Sequence, residues 1–558
     1  MGVAKRLYLY TVSAISLLML SVGLDNLVAV VLGEIVDALG ASVIGGESSG
    51  REQISLAIAI VVVSAPVFGI HWWLVGRGWR GTDESASADR RSAIRAFYML
   101  LIATASFGVA MNAALQLLDR GFRAILGVDD GGGPGAGDMV AMLVVAAPVW
   151  RFHMTRRNAD LRHDRLRGAA AWLTRLHRYG WTVIGLMTLL FGASGLIATL
   201  SSALIRLSDF GGSQDWWRGP LAWSLAAIFT GLGVWRLYVE DARRAIRDAA
   251  VVGEDDRSTA LRATSFGAVL LVALISAGLT IASSITELGR RLIGVADEVD
   301  SATFLESVVG PVLVAVPFIL AGWLHWRVMR DEAAQLGDAQ RAAAERLRLH
   351  LAAFVGLVFL TVGVARLGGV LLEQVLGPVG ADGFFLGELV WSVAQIVVGA
   401  VLWLPAWSVI LRRRAAAPVA EGLATSARAY LLLVVAGGLI AGVPSTVFVL
   451  FRFIDSLLGG QSTVFGSDLA IPIAIVVVAA VGAAYHGRLV VFDLRLAAAE
   501  QPTAVAATAE GPAMEAPTAV ASPATLTLVL RGQGGDDLEA VAVSLRAHLP
   551  PGVVLEAV

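Results

Sequence analysis

A chain of 558 residues in which 56% are hydrophobic and only 16% charged, with a mean hydropathy of +0.72, carries more apolar surface than soluble domains can bury. A net charge of −2 and a pI near 6.5 provide no basic face for nucleic acid, and the absence of cysteine removes disulfides, thiolate metal ligands and thiol nucleophiles. Lipid is the expected solvent, and an all-α integral membrane protein the expected fold class.

A helix needs roughly 20 apolar residues to cross the hydrocarbon layer, and about a dozen such runs can be read, centred on 8–33, 54–76, 96–117, 137–154, 179–204, 220–237, 264–286, 307–327, 350–372, 388–411, 429–453 and 468–490. The first is too long for the core of a signal peptide and lacks a small-residue cleavage site, so it reads as a retained helix. Arg and Lys gather in the segments around 77–95, 151–178, 236–262, 327–348 and 412–428 and at the termini, whereas intervening loops such as 129–134 and 377–380 are glycine-rich. Positively charged loops stay on the cytoplasmic side. Both termini are therefore expected in the cytoplasm and the chain in the inner membrane.

A fixed period runs along the chain. Outward helices begin at Arg6, Arg95, Arg178, Arg262, Arg348 and Arg428, a spacing that marks internal duplication. Small residues follow at Gly23, Gly108, Gly195, Gly278, Gly363 and Gly442, where helices can approach closely. Return helices end in His71-Trp72, His153, Trp235, His325-Trp326, Trp407 and His486. The expected architecture is six parallel two-helix repeats at about 5–80, 93–158, 176–248, 260–335, 346–415 and 426–495. Each outward run also has a tail, such as LLDRGFRAILG ending at Gly127, in which charges alternate with Leu and Ile; these tails either protrude on the outer side as helix or bend into interfacial amphipathic turns, and the turns are the favoured reading. Residues 496–523, rich in Ala, Pro and Thr, read as a disordered linker, and 524–558 as a small strand-helix-strand tail with Asp536-Asp537 capping its helix.

The opening RLYLYTVSAISLLMLSVGL and a return helix ending HWWLVGR, repeated along residues 7–495, resemble a bacterial polytopic membrane family designated domain of unknown function 5671. The resemblance implies a multi-spanning protein and brings no activity, substrate or catalytic residues with it.

Three groups of residues are candidate sites. His71, His153, His325 and His486 stand at the same end of their helices, where histidine either ligates a metal or haem or anchors a helix at headgroup level. Anchoring is the favoured role, as it is for Arg6, Arg95, Arg178, Arg262, Arg348, Arg428, Trp72 and Trp326, and no cofactor is implied. Asp25, Arg366 and Glu373 are charges inside apolar runs, where an ionisable group marks either a pathway or a structural pair. Pro66, Pro148, Pro317, Pro405 and Pro444 also lie within spans, where they kink helices or free carbonyls. No phosphate loop, nucleophile elbow or metal-spaced histidine pair occurs.

The expected function is non-enzymatic: a membrane scaffold or sensor-like module that engages membrane lipids, and a cytoplasmic protein or a second copy of itself through the tail. The alternatives are a conduit for a small or lipophilic solute and a haem-binding redox subunit.

Overall fold

The computed structural model describes residues 3–38, 47–79, 84–128, 135–163, 168–206, 216–252, 259–295, 301–376, 382–458, 467–509, 526–530 and 553–557. Two units separate by their contacts, Met1–Leu494 and Arg495–Val558. The loops 129–134 and 377–380 and the capping pair Asp536-Asp537 lie outside the described residues.

The first unit is a succession of long helices that pair as antiparallel hairpins. Hairpin 1 comprises α1 (Val3–Ala38) and α2 (Glu47–Trp79), followed by the short α3 (Glu84–Arg90). Hairpin 2 is α4 (Ala93–Leu126) with α5 (Ala136–His163), hairpin 3 is α6 (Gly168–Ile205) with α7 (Arg218–Val252), and hairpin 4 is α8 (Ala260–Leu292) with α9 (Ser301–Leu336). Hairpin 5 is α10 (Asp338–Leu376) with α11 (Asp382–Ala416), trailed by the short α12 (Pro418–Gly422), and hairpin 6 is α13 (Thr425–Leu457) with α14 (Ala470–Ala509).

Among the described residues, eleven helices are long and apolar enough to cross a membrane, one fewer than the expected twelve. The exception is α5. Asp138 and Arg151 confine its apolar run to Met139–Trp150, well short of the roughly 20 residues a span needs. It still packs along α4 and α1.

Where they lie among the described residues, the outward tails do not bend into interfacial turns but continue their helices, so that α4 runs unbroken to Leu126 and α8 to Leu292; most of the tail at 204–211 lies outside the described residues. Gly127 (φ +67°) and Gly294 (φ +71°) then end these two helices in the left-handed conformation that glycine adopts without a Cβ penalty. The next residue's N–H closes each cap, Val128 on the Arg123 carbonyl at 2.9 Å and Val295 on the Arg290 carbonyl at 3.0 Å. The prolines in spans likewise sit inside continuous helices.

The hairpins pack in chain order. Outward helices α1, α4, α6, α8, α10 and α13 each touch the next, forming a spine. Return helices α5, α7, α9 and α11 pack against their own outward helix and the preceding one. Hairpins 3 and 5 are the tightest, because glycine brings backbones together. A Cβ at Gly185 would lie 2.5 Å from the Trp235 backbone nitrogen, and one at Gly356 2.5 Å from that of Trp403. Gly192 and Gly363 repeat this one level along, against Ile228 and Ile396. Of the small residues expected at such contacts, Gly363 and Gly23 lie where a Cβ would press on backbone, whereas a Cβ at Gly108 would only touch the Trp181 ring at 3.6 Å. In hairpin 3 the backbone contact falls to Gly192 rather than Gly195.

In the second unit, β1 (Leu526–Leu530) and β2 (Val553–Ala557) pair in parallel, with Leu526 opposite Val553. The helix expected between them lies outside the described residues. The stretch expected to be a disordered linker from 496 onward begins as helix, since α14 continues to Ala509; its alanines favour helix more than the polar composition suggests.

Candidate functional site

The polar residues of the first unit concentrate where outward helices begin and return helices end. Hairpins 1 to 5 each have an arginine paired with a carboxylate there, and the carboxylate of hairpin 6 is paired with an arginine of hairpin 5. Arg6 pairs with Asp89 at 2.7 Å, Arg95 clasps Asp160 through two bonds at 2.7 and 3.1 Å, Arg178 reaches Asp241 at 2.7 Å, and Arg262 holds Glu332 through two bonds. Arg346 pairs with Glu421 at 2.9 Å, and Arg414 with Asp493.

Three of these partners follow a spacing rule in the sequence. In HMTRRNAD, HWRVMRDE and HGRLVVFD the carboxylate stands seven residues after His153, His325 and His486, two helical turns on and so on the same face. Where the return helix has another residue at that place, Gly78 after His71 or Arg414 after Trp407, a short connecting helix supplies the acid: Asp89 on α3 and Glu421 on α12.

Three of these arginines, Arg95, Arg178 and Arg262, are therefore turned into the protein and not toward headgroups. Arg95 is 0% exposed, and Arg178 and Arg262 are buried. Burying a guanidinium requires a hydrogen-bonded partner, and the clasp provides one. In hairpin 5 the clasp belongs to Arg346, while Arg348 bonds Glu345 on its own helix and covers the Trp326 ring at 4.9 Å. In hairpin 6, Ala427 fills the buried place and Arg428 turns outward. Trp72 and Trp326 also face inward: Trp72 packs against both Tyr98 and His153 of hairpin 2, and Trp326 joins the apolar cluster around Met329 and Ala344. Their neighbours Trp73 and Trp323 face outward instead, about half exposed and covered by Arg77 and Arg327 four residues on.

The histidines serve as struts. Nδ1 of His71, His153, His325 and His486 donates to the carbonyl four residues earlier, at 2.8 to 3.0 Å. That leaves Nε2 to accept from tyrosine hydroxyls: Tyr8 to His71, Tyr98 to His153 and Tyr430 to His486, at 3.1 to 3.4 Å. Hairpin 3 keeps the bond with the partners exchanged, His177 on the outward helix and Tyr238 on the return helix, at 3.2 Å. At His325 the facing ring is Phe266, which has no hydroxyl to give. Among the described residues no group of three or more metal-ligating side chains converges.

Neighbouring hairpins are joined at the same level. Arg95 donates to the Tyr10 hydroxyl at 3.0 Å and Arg262 to the Tyr179 hydroxyl at 3.4 Å, linking hairpins 1 with 2 and 3 with 4. The Arg414–Asp493 pair links 5 with 6, and Arg157 with Asp241 at 3.7 Å links 2 with 3. Arg157 lies beyond the apolar run of α5. Burial lowers its guanidinium to about 10, opposed by the Asp241 carboxylate, so it stays charged at neutral pH.

The charges within spans are not brought together. Asp25 is in hairpin 1 with one buried carboxylate oxygen that has no hydrogen-bond partner. Arg366 pairs with Glu388 across hairpin 5 at 2.7 Å instead of with Glu373, which sits near the end of α10. Beside Arg366 an apolar cavity of about 450 Å³ opens between α10, α11, α13 and α14, lined by Leu357, Trp391, Gly437, Ile475 and Gly482.

Apolar hairpins in series, clasped at one end by buried arginine–carboxylate pairs, define a multi-pass α-helical membrane protein built from repeats. Three segments, residues 6–138, 175–279 and 346–481, together more than half of the chain, match the family described as Domain of unknown function (DUF5671), and the chain belongs to that family. Each match starts at the arginine end of an outward helix and extends into the following hairpin, so the family unit is longer than the two-helix period. It joins the same hairpin pairs that Tyr10–Arg95, Tyr179–Arg262 and Arg414–Asp493 connect. Neither the curated proteins nor the solved structures contain a match.

Proposed function

We propose that this protein is a non-enzymatic membrane scaffold of the inner membrane, with both termini in the cytoplasm, that docks a partner protein or a second copy of itself through residues 497–558. The observation that supports it is the fate of the intramembrane charges. A hydrophilic conduit would gather Asp25, Arg366 and Glu373 along one path, but Asp25 belongs to hairpin 1, four hairpins from the other two, and Arg366 is neutralised by Glu388. The histidines lend little to a haem reading, because both ring nitrogens of His71, His153 and His486 are hydrogen-bonded. Deleting residues 497–558 is expected to release the copurifying partner while leaving the hairpins in the membrane; retention of every partner overturns the scaffold reading.

A second reading is uptake of a lipophilic solute into the cavity beside Arg366, whose size suits a small ligand. It predicts that Arg366→Ala reduces solute flux in proteoliposomes, and unchanged flux removes it.

A further inference from the structure

Helix α5, which falls short of a span, borders a cleft of about 690 Å³. The cleft opens between α5 and α7, helices that both pack on α4. Trp150, Arg151, Thr155, Gly233, Arg236 and Tyr238 are among its walls. A Cβ at Gly233 would meet nothing within 4 Å, so the space is open on that side.

Its charges are unevenly used. The carboxylates are already matched, Glu240 by Arg244 and Arg247, and Asp241 by Arg178 and Arg157. Arg151 and Arg236 are exposed and have no ion pair among the described residues. The spacing of histidine and carboxylate measures how deep Arg151 lies. In α9 and α14 the first arginines, Arg327 and Arg488, come two residues after His325 and His486, whereas Arg151 comes two residues before His153. That four-residue offset, at about 1.5 Å per residue, sets it about 6 Å closer to the apolar layer. Leu237, exposed, lines the same cleft, and Val144 and Phe152 on α5 and Leu232 on α7 are exposed as well. A guanidinium held at that depth without a partner is costly, and a phosphate answers both its charge and its planar fork.

We propose that the α5–α7 cleft is a binding site for an anionic phospholipid, whose headgroup phosphate is held by Arg151 and Arg236 and whose acyl chain lies over Gly233 and Leu237. Basic pockets between membrane helices hold anionic headgroups in this way. The inference goes beyond the scaffold reading and does not depend on it.

The test uses the purified full-length chain and native mass spectrometry after incubation with phosphatidylglycerol or phosphatidylcholine. Wild type is expected to retain phosphatidylglycerol at least tenfold more than phosphatidylcholine. The double variant Arg151→Gln/Arg236→Gln is expected to lose that preference and Arg488→Gln, outside the cleft, to keep it. Gly233→Leu, which fills the cleft and leaves every charge in place, should also reduce retention. Unchanged retention in the double variant overturns the proposal, and so does an equal loss in Arg488→Gln, which would mean a diffuse basic surface. Displacement of the lipid by an equal concentration of soluble glycerol phosphate likewise overturns it, because the site would then be one for free phosphate.

Discussion

The Tyr10 hydroxyl accepts a hydrogen bond from the Arg95 guanidinium across 85 residues of sequence, and Tyr179 receives the same bond from Arg262 across 83. Both bonds join the start of one outward helix to the start of the next outward helix, and in both the arginine also holds a carboxylate of its own hairpin. One side chain therefore closes a hairpin and fastens it to its predecessor.

Removing either member of the hairpin 2 clasp is expected to leave a buried charge without its partner. Asp160→Asn and Arg95→Gln should each lower stability by about 3 kcal/mol or more, while Tyr10→Phe, which takes away a single hydrogen bond, should cost about 1 kcal/mol. Unfolding of the purified variants by heat or by a denaturing detergent measures this. A clasp contributing nothing would leave all three near wild type.

Hairpin 4 lacks a hydrogen bond that four others have. Phe266→Tyr places a hydroxyl opposite Nε2 of His325, where ring centroids 6.0 Å apart resemble the 5.6 Å of Tyr98 and His153. The variant is expected to gain up to about 1 kcal/mol, and His325→Phe made together with it should abolish the gain.

Arginine position, not arginine content, decides importance in hairpins 5 and 6. Arg346→Ala should destabilise measurably because Glu421 loses its partner, whereas Arg428→Ala should shift the midpoint hardly at all, as expected of an exposed surface residue. Reversing the buried pair as Arg414→Asp with Asp493→Arg should recover part of the loss that either substitution causes alone.

The close backbone contact of hairpin 5 gives a steric prediction. Gly356→Ala drives a methyl against the Trp403 backbone and is expected to cost about 1–3 kcal/mol or more. Gly180→Ala, with open space around it in α6, should be neutral or stabilising through helix propensity. Equal effects at the two sites would contradict the packing described.

Much of this architecture can be read from hydropathy and the arginine period, because a span must be long and apolar and a duplicated unit keeps its spacing. The site is less legible. Arg95 and its counterparts stand where a membrane anchor would stand, and whether a guanidinium turns to lipid or to protein depends on a carboxylate more than 60 residues away. The seven-residue interval from His153 to Asp160 carries that information, but an acid two turns from a histidine is unremarkable until the facing helix is known. One-residue slips decide the rest: Trp72 packs inward and Trp73 outward, and Ala427 takes the place beside which Arg428 is exposed. Apolar periodicity on an almost wholly apolar helix does not resolve a single position.

A series in which each hairpin touches chiefly the one made before it has a bearing on biosynthesis. As the ribosome delivers a new pair of helices to the bilayer, the surface that receives it is already there. Contacts of short sequence range assemble quickly and offer few wrong partners. The order of translation is then also the order of assembly, and a chain halted after any complete hairpin would leave a shorter stack with its earlier seams intact.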